Sequence, residues 1–521
     1  MDDSASTLGS AVVTDLSVDA VLLEKVLQNR LSPEEALRFA SSAPECVAFT
    51  LLALQQRIAS TQQAAGAHTP SASIPPYAKE NMAASGAKSK SRRRKRGGQP
   101  GHAGRTREPL PEPDRVREHQ LPRCPDCQGK LKRTGETRRR RSEDIPEDLK
   151  PVITEDVLHR DYCPQCRQRV EPKLPDVLPN CTLGNRTLVL SALLHFLQGL
   201  TISQVVDTFN FHLRMKVTPG GLVQMWHRLA DLLFAWYEQI QRESLQSATL
   251  HADETGWRVG GKTHWLWCFA NTESVFYLID RSRGSPALLK FFTTAFEGTL
   301  ITDFWSPYDA VVCADKQKCW PHLLRDVAKV DEREAIGREA GDDSDAAQSD
   351  AAQSDAAQSD ARREWKSFSR RLVSVYRAAK KLHPQRGTLN EDKYDLAAVG
   401  LEGRLAKLGS ESWQHPDANR LSKRLARYGN ELLTFLWYDD VPSDNNAGER
   451  AIRPAVMIRK NSYCNHSERG ALTQSVLMSV FRTLRLRNHQ PLDTILAALS
   501  EYSKTGTIPP LPPKNETQPK G

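Results

Sequence analysis

The spacing of apolar positions changes several times along the chain, and each change marks a module. Leu16, Val18, Val21, Leu22, Val26 and Leu27, then Val47, Leu51, Leu54 and Ile58, recur at helical intervals. "LSPEE" interrupts them with a helix start at Ser32, so residues 1–65 are expected to form a helical N-terminal segment, with packing of a small domain favoured over a coiled coil. Residues 66–110 lose the periodicity and read as a disordered linker. Residues 181–245 regain it. There "TISQVVDTFNFHLRMKVTPGGLVQMWHRLADLL" has the pattern of helix, turn and helix, with Thr201 and Thr218 as N-caps and Pro219 in a first turn that tolerates proline. Base reading and packing alone both suit this helix-turn-helix-like module, and packing is the better fit.

After Ala248 the period becomes that of strands: "SATLHADE", "THWLWCFAN" and "SVFYLIDRS" are short, aromatic or β-branched, and separated by Gly or polar turns. A helical "SPALLKFFTTAF" follows, then a buried strand "TLIT" ending at Asp303, then "KQKCWPHLLRDVAKV", a strand running into a helix. Three antiparallel strands followed by alternating helix and strand is the order of a ribonuclease-H-like α/β fold, in which the first and fourth strands are neighbours. Asp253 and Asp303 would then meet. The expected division is a first part of this core over 246–335, a helical insertion over 336–425, a second part over 426–482 and a C-terminal helix and tail over 483–521.

Composition narrows the partners. The 521 residues, 39% of them hydrophobic, are enough for several modules and a large core. The formal net charge is +9, and between Lys88 and Arg107 nine basic residues stand with no acidic one. Such clustering suits a polyanion, because phosphates release counterions to Lys and Arg, and it makes Arg92, Arg93, Arg94, Lys95 and Arg96 candidate DNA contacts. "MDDSASTLGS" has no basic leader, and the most apolar run, "LVLSALLHFL", is too short to span a bilayer. A cytoplasmic protein that joins the nucleoid when bound to DNA, with no membrane partner, is expected.

Of ten cysteines, four form two Cys-x-x-Cys pairs, Cys124 with Cys127 and Cys163 with Cys166. Two such pairs fit two knuckles closing a tetrahedral Zn2+ site better than redox dithiols, since each has proline after its first cysteine. Four thiolates leave no position for water, so residues 111–180 are expected to form a structural zinc-binding module, with "KPVITEDVLHRDY" as a strand.

Two carboxylates held together repel unless a cation lies between them, and hard oxygen ligands suit Mg2+ or Mn2+. The third acid for a two-metal site is Glu449 in "VPSDNNAGERAIRPAVMIRKN", where Ser443 is the expected helix cap; Asp444 is the rival ligand. Glu254 should point away from Asp253 across the strand. Arg453, Arg459 and Lys460, with Arg450, lie on or after the Glu449 helix where they could hold phosphates.

"GGQPGH", the paired "CPxC" knuckles, "HADETGW", "ITDFWSPYDA", "WPHLLRD" and "DNNAGERAIRPAVMIRKNS" together resemble bacterial DDE-class transposases of the insertion sequence sixty-six type, over roughly residues 90–505. The resemblance implies a multidomain protein: a ribonuclease-H-like catalytic core with a helical insertion, preceded by the zinc-binding and helix-turn-helix-like modules. In that core Asp253, Asp303 and Glu449 match the metal-binding acids, two Mg2+ or Mn2+ per active site. His322 and Arg325 match a His-x-x-Arg helix that supports them. One departure is "DAAQSDAAQSDAAQSDA" at 345–361, a five-residue repeat read as an elongated solvated loop. The implied activity is metal-dependent cleavage of insertion-sequence ends and strand transfer into target DNA. The implied partners are both DNAs, further copies of the chain in the DNA complex, and accessory proteins of the same element. The alternatives are a zinc-containing DNA-binding regulator or an inactive relic, and a nuclease that cuts without joining.

Overall fold

The computed structural model describes residues 112–516 except 133–136, 143–144, 147–148, 180 and 340–350, and not the side chains of 336–339 and 351–358. The N-terminal helical segment and the basic linker with Arg92, Arg93, Arg94, Lys95 and Arg96 lie outside the described residues.

Strands β1 (Asp161–Cys163) and β2 (Gln168–Val170) pair antiparallel around the second cysteine knuckle. "KPVITEDVLHRDY", expected as a strand, is one only from Asp161. Among the described residues nothing lies beside the rest to complete a ladder, and Val152, Ile153 and Val157 stay exposed.

A helical layer follows, with α1 (Asn185–Ala192), α2 (Ile202–Asp207), α3 (Pro219–Leu232) and α4 (Phe234–Leu245). Both expected caps form: the Thr201 side chain accepts from the Gln204 N–H in a reciprocal capping box, and Thr218 accepts from Gly221, with Pro219 starting α3. Helix α3 buries Leu222, Met225, Trp226 and Leu229 in the same core as the sheet described next.

That sheet has five strands: β3 (Thr249–Val259), β4 (Lys262–Ala270), β5 (Val275–Asp280), β6 (Phe296–Thr302) and β7 (Cys313–Lys318). Their order is β5-β4-β3-β6-β7; the first three pair antiparallel, while β3 with β6 and β6 with β7 are parallel. The expected adjacency of first and fourth strands is therefore present. Gly260 and Gly261 close the β3–β4 hairpin, both at positive φ as a two-residue turn of this hand needs. Helix α5 (Ser285–Phe291) crosses from β5 to β6, and α6 (Trp320–Glu339) follows β7 directly.

The insertion comprises α7 (Ala351–Leu382), α8 (Glu391–Ser410) and α9 (Pro416–Tyr428). It owns a second core, including Trp365, Phe368, Leu401, Leu405, Leu421 and Leu436, which meets the sheet region at Ile301 and Trp320. The repeat expected as a solvated loop is helical over its described part, since α7 starts at Ala351 and runs through it. Alanine and glutamine are strong helix formers and no Gly or Pro interrupts them, so the packed segment from Trp365 onward propagates helix backwards.

The chain then returns through α10 (Asn446–Ser462), α11 (Glu468–Leu486) and α12 (Pro491–Thr505). Helix α11 covers the free edge of β5. The N–H groups of Val275, Tyr277 and Ile279 donate to Thr483 Oγ1 (3.1 Å), Ser479 Oγ (2.9 Å) and Ser475 Oγ (3.3 Å). Hydroxyls one helical turn apart thus satisfy every second N–H of an edge strand, which blocks pairing with another chain.

Candidate active site

The parallel register sets the site. His251 of β3 lies opposite Ile301 of β6, so two residues further along each strand come Asp253 and Asp303. Asp303 is the first residue beyond β6, where its Oδ1 accepts from the Trp305 N–H at 2.8 Å. Asp253 Oδ1 accepts from the Glu254 N–H at 2.9 Å. Burial is the main reason that the Asp253 carboxyl is pushed well above its ordinary value, with the charges of Glu254, Asp303 and Glu449 adding to it. The charges of the other two expected acids, Asp303 and Glu449, therefore reach Asp253 at this end of the sheet.

Glu449 sits in the first turn of α10, and buried Asn445 holds that turn in place. Its carbonyl accepts from the Glu449 N–H, its Nδ2 donates to Ala252 O at 2.8 Å, its Oδ1 meets His251 Nδ1 at 2.9 Å, and its N–H reaches Cys319 Sγ. The expected cap, Ser443, does not cap the helix: Asn445 is the N-cap residue and spends its side chain on β3, while the Ser443 hydroxyl is buried with no partner. One face of α6 supplies the other contacts of Glu449, since Arg325 donates to its Oε1 at 2.9 Å and His322 Nε2 stands 3.7 Å away. The expected supporting pair is thus brought to the third acid.

Glu254 leaves Asp253 for a buried cluster, accepting from Tyr308 Oη (2.6 Å) and pairing with Arg283 (3.1 Å). Arg283 is stacked between the rings of Trp265 and Trp305. Burial and the Asp303 charge push the Glu254 carboxyl up to about 7.

Sequence reading missed Lys318, the last residue of β7. Its side chain is fully buried and donates to Thr302 Oγ1 at 3.1 Å, with Asp309 Oδ1 at 3.6 Å and Glu431 Oε2 at 3.8 Å. A lysine in the polar run "CADKQK" carries no signal of burial.

Of the candidate phosphate contacts on α10, Arg453 and Lys460 are exposed and, among the described residues, pair with no acid. Arg459 does not face outward: it donates to Thr255 Oγ1 and Gly256 O on β3.

The four cysteines come together as two pairs. In each knuckle the residue after the second cysteine, Gln128 or Arg167, takes positive φ. The turn aims N–H groups at the first sulfur, with Cys166 N at 3.4 Å from Cys163 Sγ, and these bonds lower the Cys124 and Cys163 thiols below their ordinary value. Among the described residues no group of three or more His, Cys, Asp or Glu side chains is placed to hold a metal ion, so neither the four thiols nor the three acids form a closed cage. No helix among them is long and apolar enough to cross a membrane.

The protein is thus a mixed α/β chain in which the charges of Asp303 and Glu449 reach buried Asp253 at one end of a mixed sheet. Residues 180–473 match the Transposase IS66 family, more than half of the chain, and the chain belongs to that family. It is also similar to the uncharacterized protein y4qI of Sinorhizobium fredii (strain NBRC 101917 / NGR234), 25% identical over 299 residues, which cover 53% of this chain and 50% of that protein. The chain thus spans about half the length of that curated relative.

Proposed function

We propose that this protein is an active transposase, which binds the ends of its insertion sequence, cuts them and joins them to target DNA, on a ribonuclease-H-like core. The observation that carries the reading is the β3–β6 register, which sets Asp253 and Asp303 side by side while Asn445 ties the Glu449 helix to the same strand.

Asp253, Asp303 and Glu449 would hold Mg2+ or Mn2+. The donor types suit such an ion: buried Asp253 feels the charges of Asp303 and Glu449, a repulsion that a divalent cation would offset, although the three side chains as they stand do not close a cage. Such ions, when bound, activate the attacking oxygen and stabilise the leaving one in phosphoryl transfer. The chain's own residues do the rest. Arg325 holds the Glu449 carboxylate with the His322 ring 3.7 Å from it, Asn445 fixes the helix that carries it, and the Asp303 turn is pinned by the Trp305 N–H. Arg450, Arg453 and Lys460 present cations to the phosphate backbone, as would the arginine run at 92–96.

The test is the reaction itself. Full-length protein with Mg2+ and a duplex carrying the element's terminus should release a 3′-hydroxyl at the element end and join it to a supercoiled plasmid. Cleavage without joining would leave a nuclease, and binding without cleavage in Mg2+ or Mn2+ a regulator.

We propose also that Cys124, Cys127, Cys163 and Cys166 hold one structural Zn2+, for which the N–H groups aimed at Cys124 and Cys163 prepare thiolates. Metal analysis of the full chain should give about one Zn2+ per chain, lost in Cys163→Ser. Less than half an equivalent in the unsubstituted protein would rule the site out.

A further inference from the structure

Helix α10 leads away from the acids with one face open. Asn446, Arg450, Arg453, Met457 and Lys460 are exposed along it at intervals of four, three, four and three, a continuous stripe beginning beside Glu449. Among the described residues no carboxylate pairs with Arg450, Arg453 or Lys460, whereas the exposed Arg363, Arg420 and Arg427 of the insertion each find one. A stripe of uncompensated cations starting at the acids is complementary to a polyanion and to little else.

The stripe ends in an unusual turn. Tyr463 and Cys464 follow α10 at φ +54° and +71°, two consecutive non-glycine residues in the left-handed region. Such conformations persist only where the surroundings hold them. Here they are held: Asn465 N donates to Arg258 O, Gly260 N donates to Asn465 O, and Trp257 Nε1 donates to Asn465 Oδ1 at 2.8 Å. Cys464 packs against the main core, which turns Tyr463 outward at 89% exposure. The fold thus fixes the backbone that presents an exposed aromatic side chain, in a turn bonded to the β3–β4 hairpin on which Arg258 and Lys262 are exposed.

We infer that α10 is the track along which DNA runs away from the cleaved phosphate, and that Tyr463 ends it as a stacking platform for one base. The inference rests on the transposase reading and adds a residue and a distance to it. Glu449 and Tyr463 are fourteen residues apart, about 21 Å along a helix at about 1.5 Å per residue. At about 3.4 Å per base pair, that places the stacked base about six nucleotides from the phosphate at the acids. An exposed aromatic among cations is how proteins grip unpaired bases without reading sequence.

The test uses full-length protein, metal-free buffer and a duplex carrying the element's terminus. A benzophenone side chain at position 463 should crosslink to a narrow window of nucleotides about six from the cleavage position. Tyr463→Asn removes the ring with a residue that tolerates the left-handed region, so the turn should survive and affinity should fall about tenfold. Tyr463→Trp should restore it. Crosslinks scattered over the duplex or confined to protein, or a Tyr463→Asn affinity within about twofold of the parent, would overturn the inference. If the unsubstituted protein still cuts and joins in that case, the transposase reading stands; if it neither binds nor cuts, both fall.

Discussion

Alanine in place of Asp253, Asp303 or Glu449 is expected to abolish strand cleavage in Mg2+ or Mn2+ while leaving binding to element ends largely intact. Metal-held phosphoryl transfer draws several kcal/mol of transition-state stabilisation from the ions, so losing a ligand should cost about a thousandfold or more in rate. None of the three is expected to touch phosphate directly. The stability effect has the opposite sign. Asp253 is buried against like charges, which costs stability in the metal-free protein, so Asp253→Asn should melt at the same temperature as the parent or higher. Cleavage time courses, gel shifts and melting curves on these four variants separate the effects. Full cleavage by Asp303→Ala, or a Tm fall that accounts for the lost activity, would remove the acids from the reaction.

The order of elements around these acids was legible because it rests on local signals. Alternation and turn residues delimit β3 to β5, threonines ahead of polar-apolar periodic runs mark α2 and α3, and chain order alone implies that Asp253 and Asp303 become neighbours. His322 and Arg325 came through resemblance, and their spacing of three places both on the face of α6 that meets Glu449. What was not legible depends on partners distant in sequence. Asn445 belongs to the cap position as its residue type suggests, but its side chain is claimed by His251 and Ala252, almost two hundred residues away. Arg459 reads like its neighbours Arg453 and Lys460, yet its position on α10 turns it into β3. "KPVITEDV" has the residues of a strand and, among the described residues, no second strand beside it to make it one. The described part of the repeat shows the reverse: a polar, low-complexity composition suggested loop, and from Ala351 helix propensity together with an anchored C-terminal end prevailed.

Lys318→Met is expected to lower stability by about 3 kcal/mol and to slow cleavage, because one buried ammonium joins three parts of the site. It donates to Thr302, the residue before Asp303; it faces Asp309 in the turn that follows Asp303; and it faces Glu431 and the Tyr428 ring at the end of the insertion. Removing one partner of a buried ion pair leaves the other charge unpaired, typically at a cost of about 3–5 kcal/mol. The lower end applies here, since Asp309 keeps bonds from Arg427 and Tyr428, and both carboxylates are about a quarter exposed. For a unit of roughly 400 residues, at about 2.1 cal/mol/K per residue, the loss corresponds to a fall in Tm of roughly 4 °C. If the cost comes from the abandoned carboxylates, the double variant Lys318→Met with Glu431→Gln should recover part of it, an interaction that a double-mutant cycle measures directly. Cleavage should recover less than stability, because the methionine still cannot hold Thr302 and with it the end of β6. A Tm change below about 2 °C in Lys318→Met, or a double variant that is simply additive, would show that the ammonium is not what binds the insertion to the strand carrying Asp303.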